Sequence, residues 1–422
     1  MSKANENRKG YKNSQLGWIP EEWGLFKLKD IGKTTAGGTP STRIIEYWGG
    51  EILWMNSGEL NYKKVENVKG RITDSGLNNS STQILPKYCI LIGLAGQGKT
   101  RGTVAYNVVE LCTNQSVAAI LPNKDKYFYK YLFYNFDSRY NELRRLSTGD
   151  GGRGGLNLSI INSLLIPLPP LPEQKKIAQI LSTWDDAISN TEQLIEKLKL
   201  RKKGLMQELL TGKTRLKGFT GKWKTMKLGD VSERISKKNT ELNDTVVTIS
   251  AKRGFVLQED FFNKRVASDT LSGYYLIEKG EFAYNKSYSK GYPMGAFKRL
   301  DELEKAVVTT LYICFKLTNR VDSDFMVNYF EGGLLVNNIM KIAQEGGRAH
   351  GLLNISLGDF FSLEIKIPEL IEQKAIAEIL TTVDEEIKVY EKYLSQLQSQ
   401  KKGLMQKLLT GEVRVNVDEE VV

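Results

Sequence analysis

One histidine and three cysteines in 422 residues leave this sequence short of the side chains on which much catalysis depends. His350 stands alone, so acid and base chemistry built on imidazole has no partner residue to work with. Cys89, Cys112 and Cys314 lie far apart with no CxxC, which supports neither a zinc cluster nor a disulfide framework and suits a reducing compartment. No apolar run reaches the roughly 18 residues of a membrane-spanning helix. The first residues, MSKANENRKGYKNSQ, are polar and basic, unlike a secretory leader, so a cytoplasmic protein with no membrane partner is expected. What the chain does have is length for two or more domains, and 41% hydrophobic against 26% charged residues, enough to build cores. Lys and Arg number 60 against 49 Asp and Glu, a net charge of +11 that suits a polyanionic partner without proving one.

The chain is written twice. The stretch EQKKIAQILSTWDDAISNTEQLIEKLKLRKKGLMQELLTGKTR at 173–215 returns at 372–414 with an offset of 199, no gap and 23 of 43 positions identical. Leu16, Trp23, Lys27, Leu28 and Asp30 recur at an offset of 200 as Leu216, Trp223, Lys227, Leu228 and Asp230. Gly151-Gly152-Arg153 and Asn157-Leu158-Ser159 answer to Gly346-Gly347-Arg348 and Asn354-Ile355-Ser356. Between these markers, 32–145 and 232–343 show no alignable likeness. A frame is duplicated and its contents differ.

In the first copy Ile177, Leu181, Trp184, Ile188, Ile195, Leu198, Leu205 and Leu209 follow a four-three alternation, the mark of a heptad seam. The second seam is Ile376, Leu380, Val383, Ile387, Tyr390, Leu394, Leu397, Leu404 and Leu408, interrupted at Lys401 as the first is at Lys202. Prolines 169, 170 and 172 and Gly212 bracket a helix over about 172–211, and Pro368 and Gly411 bracket the other. Each would be roughly 60 Å long. Such helices could be core elements of one large domain. Their length, narrow seam and repetition around a variable segment instead predict an α+β architecture in which two globular α/β domains, 1–167 and 214–366, are separated by two long helices, 168–213 and 367–415. The helices form an antiparallel intramolecular coiled coil with a pseudo-two-fold repeat, and 416–422 is a tail.

The variable segments carry short apolar runs at 88–92, 116–121, 246–249 and 307–315, which read as strands, and helices are expected over 127–145 and 323–343. Basic, amide and aromatic side chains concentrate in the loops, where cations can neutralise phosphates and Arg, Asn or Gln can read base edges. The candidates are Thr39, Ser41, Arg43, Tyr47, Gln97, Lys99, Thr100, Arg101 and Arg153 in the first half. The second half offers Lys252, Arg253, Lys264, Asn285, Lys286, Tyr288, Ser289, Lys290, Tyr292, Lys298 and Arg348. Any one of them could equally be a solvated loop residue.

Residues Gly93 to Thr100 fit the phosphate-cradling pattern G-x-x-x-x-G-K-T and follow an apolar run. That motif needs a long helix after it, yet Arg101-Gly102-Thr103-Val104 reads as a turn into another strand, so a basic hairpin loop is expected rather than an ATPase using Lys99. Adenine methylation would call for a DPPY-like or NPPF-like tetrapeptide, and the prolines pair only in LPPLP at 168–172. Glu364-Ile365-Lys366 matches the ExK of metal-dependent nucleases without an acidic partner on a preceding strand. No catalytic constellation is present, and no metal site is expected.

The motifs LPEQKKIAQIL and KKGLMQELLTG with their second copies, together with GGTPS at 37–41 and Asn114-Gln115, resemble the specificity subunits of Type I restriction-modification enzymes over nearly the whole chain. The resemblance implies that each variable domain is a target-recognition domain reading one part of a split, asymmetric site in double-stranded DNA. The helices would set the unread spacer and, with the domains, dock two methyltransferase subunits; Leu181, Trp184, Ile188, Leu198, Leu205, Leu380, Val383, Ile387, Leu397 and Leu404 are the candidates for the coiled coil or for subunit docking. Restriction subunits join them, and S-adenosylmethionine, ATP and Mg belong to the partners, none to this chain. The second half lacks a clear GGTPS counterpart. A coiled-coil scaffold that binds no DNA is the remaining alternative.

Overall fold

A computed structural model describes residues 6–95, 100–147, 155–264, 266–268, 270–345 and 353–417. The chain divides into two compact units, Met1–Asn190 with Leu394–Val422, and Thr191–Tyr393.

In unit 1 a strand β1 (Gly24–Lys27) leads to β2 (Thr34–Ala36), and a five-stranded sheet follows from β3 (Lys64–Val65), β4 (Ile90–Gly93), β5 (Val104–Asn107) and β6 (Val117–Ile120) in the order β2-β6-β4-β5-β3. Successive side chains of a strand face opposite ways, and both faces here are covered. Ile90, Ile92, Val104, Ala118 and Ile120 join one core with helix α1 (Tyr129–Ser138). Leu91, Ala105, Val117 and Ala119 join a second with Met55, Leu60 and Val65. That is why these strands read as unbroken apolar runs instead of alternating ones. The helix expected over 127–145 is split, ending at Ser138 and resuming over Tyr140–Leu146. Strand β7 (Leu165–Leu168) pairs antiparallel with β1 and delivers the chain into α2 (Leu171–Leu209), 39 residues and about 58 Å long.

Unit 2 repeats the plan. Strand β8 (Lys224–Lys227) is followed by β9 (Ser232–Ile235), β10 (Phe282–Asn285), β11 (Ala296–Arg299) and β12 (Ile313–Leu317), in sheet order β9-β12-β10-β11, and by helix α3 (Ser323–Glu331). Strand β13 (Glu364–Ile367) pairs with β8 and feeds α4 (Leu370–Leu409). The sheet again has two cores, an aromatic one of Phe282, Tyr284, Phe297, Phe315 and Phe330, and one with Ala283, Cys314, Ile249 and Val308. Segments without alignable sequence therefore share the order of four strands and the placement of the following helix, while unit 1 adds β3 at the sheet edge. The apolar run 307–315 is not one strand: Lys305–Val308 ends, Tyr312 N–H bonds back to Thr309 O at 3.2 Å, and β12 begins at Ile313. The helix expected over 323–343 likewise breaks into α3 and Val336–Ile342.

Both long helices stop at a left-handed glycine, Gly212 (φ 69°) and Gly411 (φ 70°), a conformation that any Cβ would strain. In unit 2 the later half of α2 runs antiparallel to the early half of α4: Leu198 packs on Val383 and Ile387, Lys199 meets Glu391 at 2.9 Å, and Lys202 meets Asp384 at 2.6 Å. In unit 1 the early half of α2 lies against the end of α4, with Ile177 and Leu181 in the same core as Met405 and Leu408, and Lys401 paired with Asp185. The lysines that interrupt the two seams thus each reach an aspartate on the other helix, a polar contact that fixes register at a coiled-coil position. Leu380 and Leu397 are buried, whereas Trp184, Ile188, Leu205 and Leu404 are half-buried.

Candidate nucleic-acid interface

Strand directions bring three loops of unit 1 to one end of the sheet. Ala36 lies beside Ala118, Val117 beside Gly93, and Ile92 beside Val104. The loop after β2 (37–41), the turn before β6 (114–116) and the β4–β5 connection therefore leave together. Gly37 and Gly38 donate to Val117 O and Thr113 O at 3.2 and 2.8 Å, and a Cβ on Gly37 would stand 2.1 Å from Thr113 O. The two glycines let GGTPS lie against Asn114-Gln115. The Thr39 hydroxyl donates to Gln115 Oε1, and Trp54 and Trp48 donate their indole N–H groups to Gly38 O (3.0 Å) and Ser41 O (3.2 Å). Thr39, Ser41 and Arg43 are exposed on this loop, and Tyr47 is half-buried in a short helical turn beside it.

Because the carbonyl oxygens facing Gly37 are backbone, Gly37→Ala must displace the loop. Overpacking of this kind costs about 1–3 kcal/mol, so thermal unfolding should show a loss of roughly 5 °C in unit 1. An unchanged melting curve would mean that the contact yields freely.

On either side of residues 96–99, the G-x-x-x-x-G-K-T motif joins two neighbouring antiparallel strands. Gly93 N–H bonds to Thr103 O and Gly102 N–H to Gly93 O, both at 2.9 Å, and the chain continues as β5, antiparallel to β4. A strand stands where a phosphate-binding loop needs a helix. Thr100 and Arg101 are half-buried at its return. Gln97, Lys99, Arg153 and Arg348 lie outside the described residues.

Unit 2 has the corresponding sheet end. With the frame offset of 200, Lys237–Glu241 stand where GGTPS stands, Thr309-Thr310 where Asn114-Gln115 stand, and 286–295 where the β4–β5 connection stands. The missing GGTPS counterpart is a basic loop. Lys238 Nζ donates to Gly273 O at 2.7 Å and stacks over Tyr275, and buried Asn239 closes the loop through two hydrogen bonds with Asn243. Arg234, Tyr275, Lys286, Thr310 and Tyr312 line a cavity of about 210 Å³ here. Sequence reading missed Arg234, Lys237, Lys238 and Thr310, which only the offset could have flagged. The Lys252 and Arg253 turn also faces this end, since its strand runs parallel to 305–308 and donates Ile249 N–H to Tyr312 Oη at 3.2 Å. Lys264 is exposed but follows a strand running the other way. In the 286–295 loop Tyr288 is 63% exposed and Lys290 is exposed, Ser289 and Tyr292 exchange backbone bonds across the tip, and Asn285 Oδ1 accepts from Ser287 N–H at 3.0 Å. Lys298 is paired with Glu331.

Burial pushes the Cys89 and Cys314 thiols up to about 12, which leaves them protonated and unreactive at neutral pH. Among the described residues no cluster of three His, Cys, Asp or Glu could hold a metal, and no helix is long and apolar enough to cross a membrane.

Two sheets of one topology, each presenting a different polar and basic loop set at one end, define a paired recognition module. The family model for the Type I restriction modification DNA specificity domain matches residues 20–200 and again 220–399, and the chain belongs to that family. It is similar to the Type I restriction enzyme MjaVIII specificity subunit of Methanocaldococcus jannaschii, 26% identical over 94% of each chain. To the MjaIX specificity subunit of the same organism it is 35% identical over 200 residues, a span that covers 45% of each chain. Among solved structures, a Type-I restriction-modification system S subunit from M. genitalium shares the fold at TM-score 0.55 and 17% identity, covering 92% of this chain and 96% of that one.

Proposed function

We propose that the chain reads a bipartite, asymmetric site in double-stranded DNA, unit 1 contacting one half and unit 2 the other, and itself performs no covalent chemistry. The observation that carries this is the pair of matched sheet ends bearing dissimilar loops: equivalent scaffolds with unlike side chains suit two unlike half-sites. A net charge of +11 supplies the sequence-independent attraction to phosphate. Amide, hydroxyl and arginine groups such as Gln115, Thr39 and Arg43 supply base-edge hydrogen bonding. The long helices act as the docking surface for methyltransferase subunits, expected to number two, and as the element that sets the unread spacer. S-adenosylmethionine, ATP and Mg are carried by the methyltransferase and restriction subunits, in the cytoplasm.

An ATPase reading is disfavoured by strand β5, which stands after Thr103 where a phosphate-binding loop needs a helix, and a DNA-blind scaffold gives no reason for unlike loops on equal frames. Sequencing methylated adenines in cells with and without this gene tests the proposal. A split motif should be methylated only when the gene is present. Identical methylomes would overturn it.

A further inference from the structure

The carboxylate of Glu331 sits at the last residue of α3, where the negative end of the helix dipole makes an acid unfavourable. Helix stability therefore does not explain it. Its two oxygens are both engaged by the β10–β11 hairpin: Oε1 pairs with Lys298 Nζ, and Oε2 accepts from Tyr292 Oη at 2.9 Å. The Lys298 side chain is only 11% exposed and stacks over the Tyr292 ring at 5.1 Å, so the three groups form one clasp. From that clasp projects the tip with Tyr288 and Lys290. The hairpin foot is held separately, by Tyr284 Oη donating to Met294 O at 2.7 Å. Unit 1 uses the equivalent position differently: Asp137, 194 residues earlier, pairs at 2.6 Å with Lys63, which is not part of the β4–β5 connection.

We propose that Glu331 is a positioning residue for base recognition by unit 2, holding Tyr292 and Lys298 so that the 286–295 loop presents Tyr288 and Lys290 in one pose. The inference rests on the DNA-reading function proposed above. Glu331 need not touch DNA. Without it the loop keeps the ties at its foot, Tyr284 Oη to Met294 O and Leu353 N–H to Lys286 O at 3.0 Å, while Lys298 loses its counter-charge and the tip samples several poses that different bases can satisfy.

The test is selection of bound duplexes from a random-sequence pool by the full-length chain, with Glu331→Ala, Glu331→Asp and wild type compared and thermal unfolding recorded for each. Wild type should enrich a two-part motif. Glu331→Ala should lose preference at one part by about tenfold per base while keeping the other part, and Glu331→Asp should restore much of it, with all three proteins folded. Unchanged preference in folded Glu331→Ala, loss at both parts alike, or absence of rescue by Glu331→Asp would overturn the proposal while the DNA-reading function stands. Failure of wild type to enrich any motif would overturn both.

Discussion

Glu173→Ala should lower the melting temperature of unit 1 by roughly 6–12 °C, the equivalent of about 3 kcal/mol. Glu173 is 1% exposed, and its oxygens accept from Arg414 Nε (2.7 Å), Arg414 Nη2 (2.9 Å) and Trp23 Nε1 (3.1 Å). Its removal leaves the indole N–H of a fully buried tryptophan without an acceptor and strips Arg414 of its bidentate partner. Loss of one member of a buried pair costs about 3–5 kcal/mol. The lower figure applies here because Arg414 is partly exposed and keeps Glu22 at 2.8 Å. Differential scanning calorimetry checks the value, and a shift under 2 °C would show that water replaces the carboxylate without loss.

The arginine half of this clamp is built in unit 2, where Glu372, 2% exposed, takes two bonds of 2.7 Å from Arg215 but none from the Trp223 indole. These four residues mark how far the sequence could be read. The repeated block begins with Glu173 or Glu372 and ends with Arg215 or Arg414, but periodicity does not say whether a block closes on itself or on its copy. Helix geometry decides. Glu173 stands in the first turn of α2 and Arg215 follows its far end, and a 39-residue helix cannot fold its two ends together, so each glutamate is left to the arginine of the other copy.

Other features were legible for physical reasons. Strands buried on both faces give apolar runs, and left-handed glycines after the last seam residue mark the helix ends. The break at Thr309–Tyr312 was not legible, because Thr and Tyr are residues that strands favour; the turn follows from the Tyr312 hydroxyl bonding to the neighbouring strand. The seam lysines read as interruptions until Asp185 and Asp384 were placed opposite them. The shared topology of the variable segments was hidden because side-chain identity diverged while the pattern of buried positions did not. Among candidate interface residues, Lys298 and Tyr292 are spent on the clasp to Glu331, 33 and 39 residues away, a pairing that local sequence does not reveal.

The second large effect concerns modular reading. The chain enters and leaves the variable part of unit 2 through one two-stranded ribbon, with Lys224 beside Ile367, so a replacement of 216–367 joins at neighbouring points. Such an exchange retains Arg215 and Glu372 and therefore the clamp on α4. The aromatic and apolar contacts of α3 and the sheet travel with the replaced segment. The donor segment from another family member should fold on the retained helices, and the fraction of sites methylated should change from nearly none to nearly all at the new motif.

The decisive measurement is the methylome of cells carrying that exchange. One half of the split motif should be replaced and the half read by unit 1 kept, base for base. Alteration of both halves, or of neither, would contradict the division of reading between the two units.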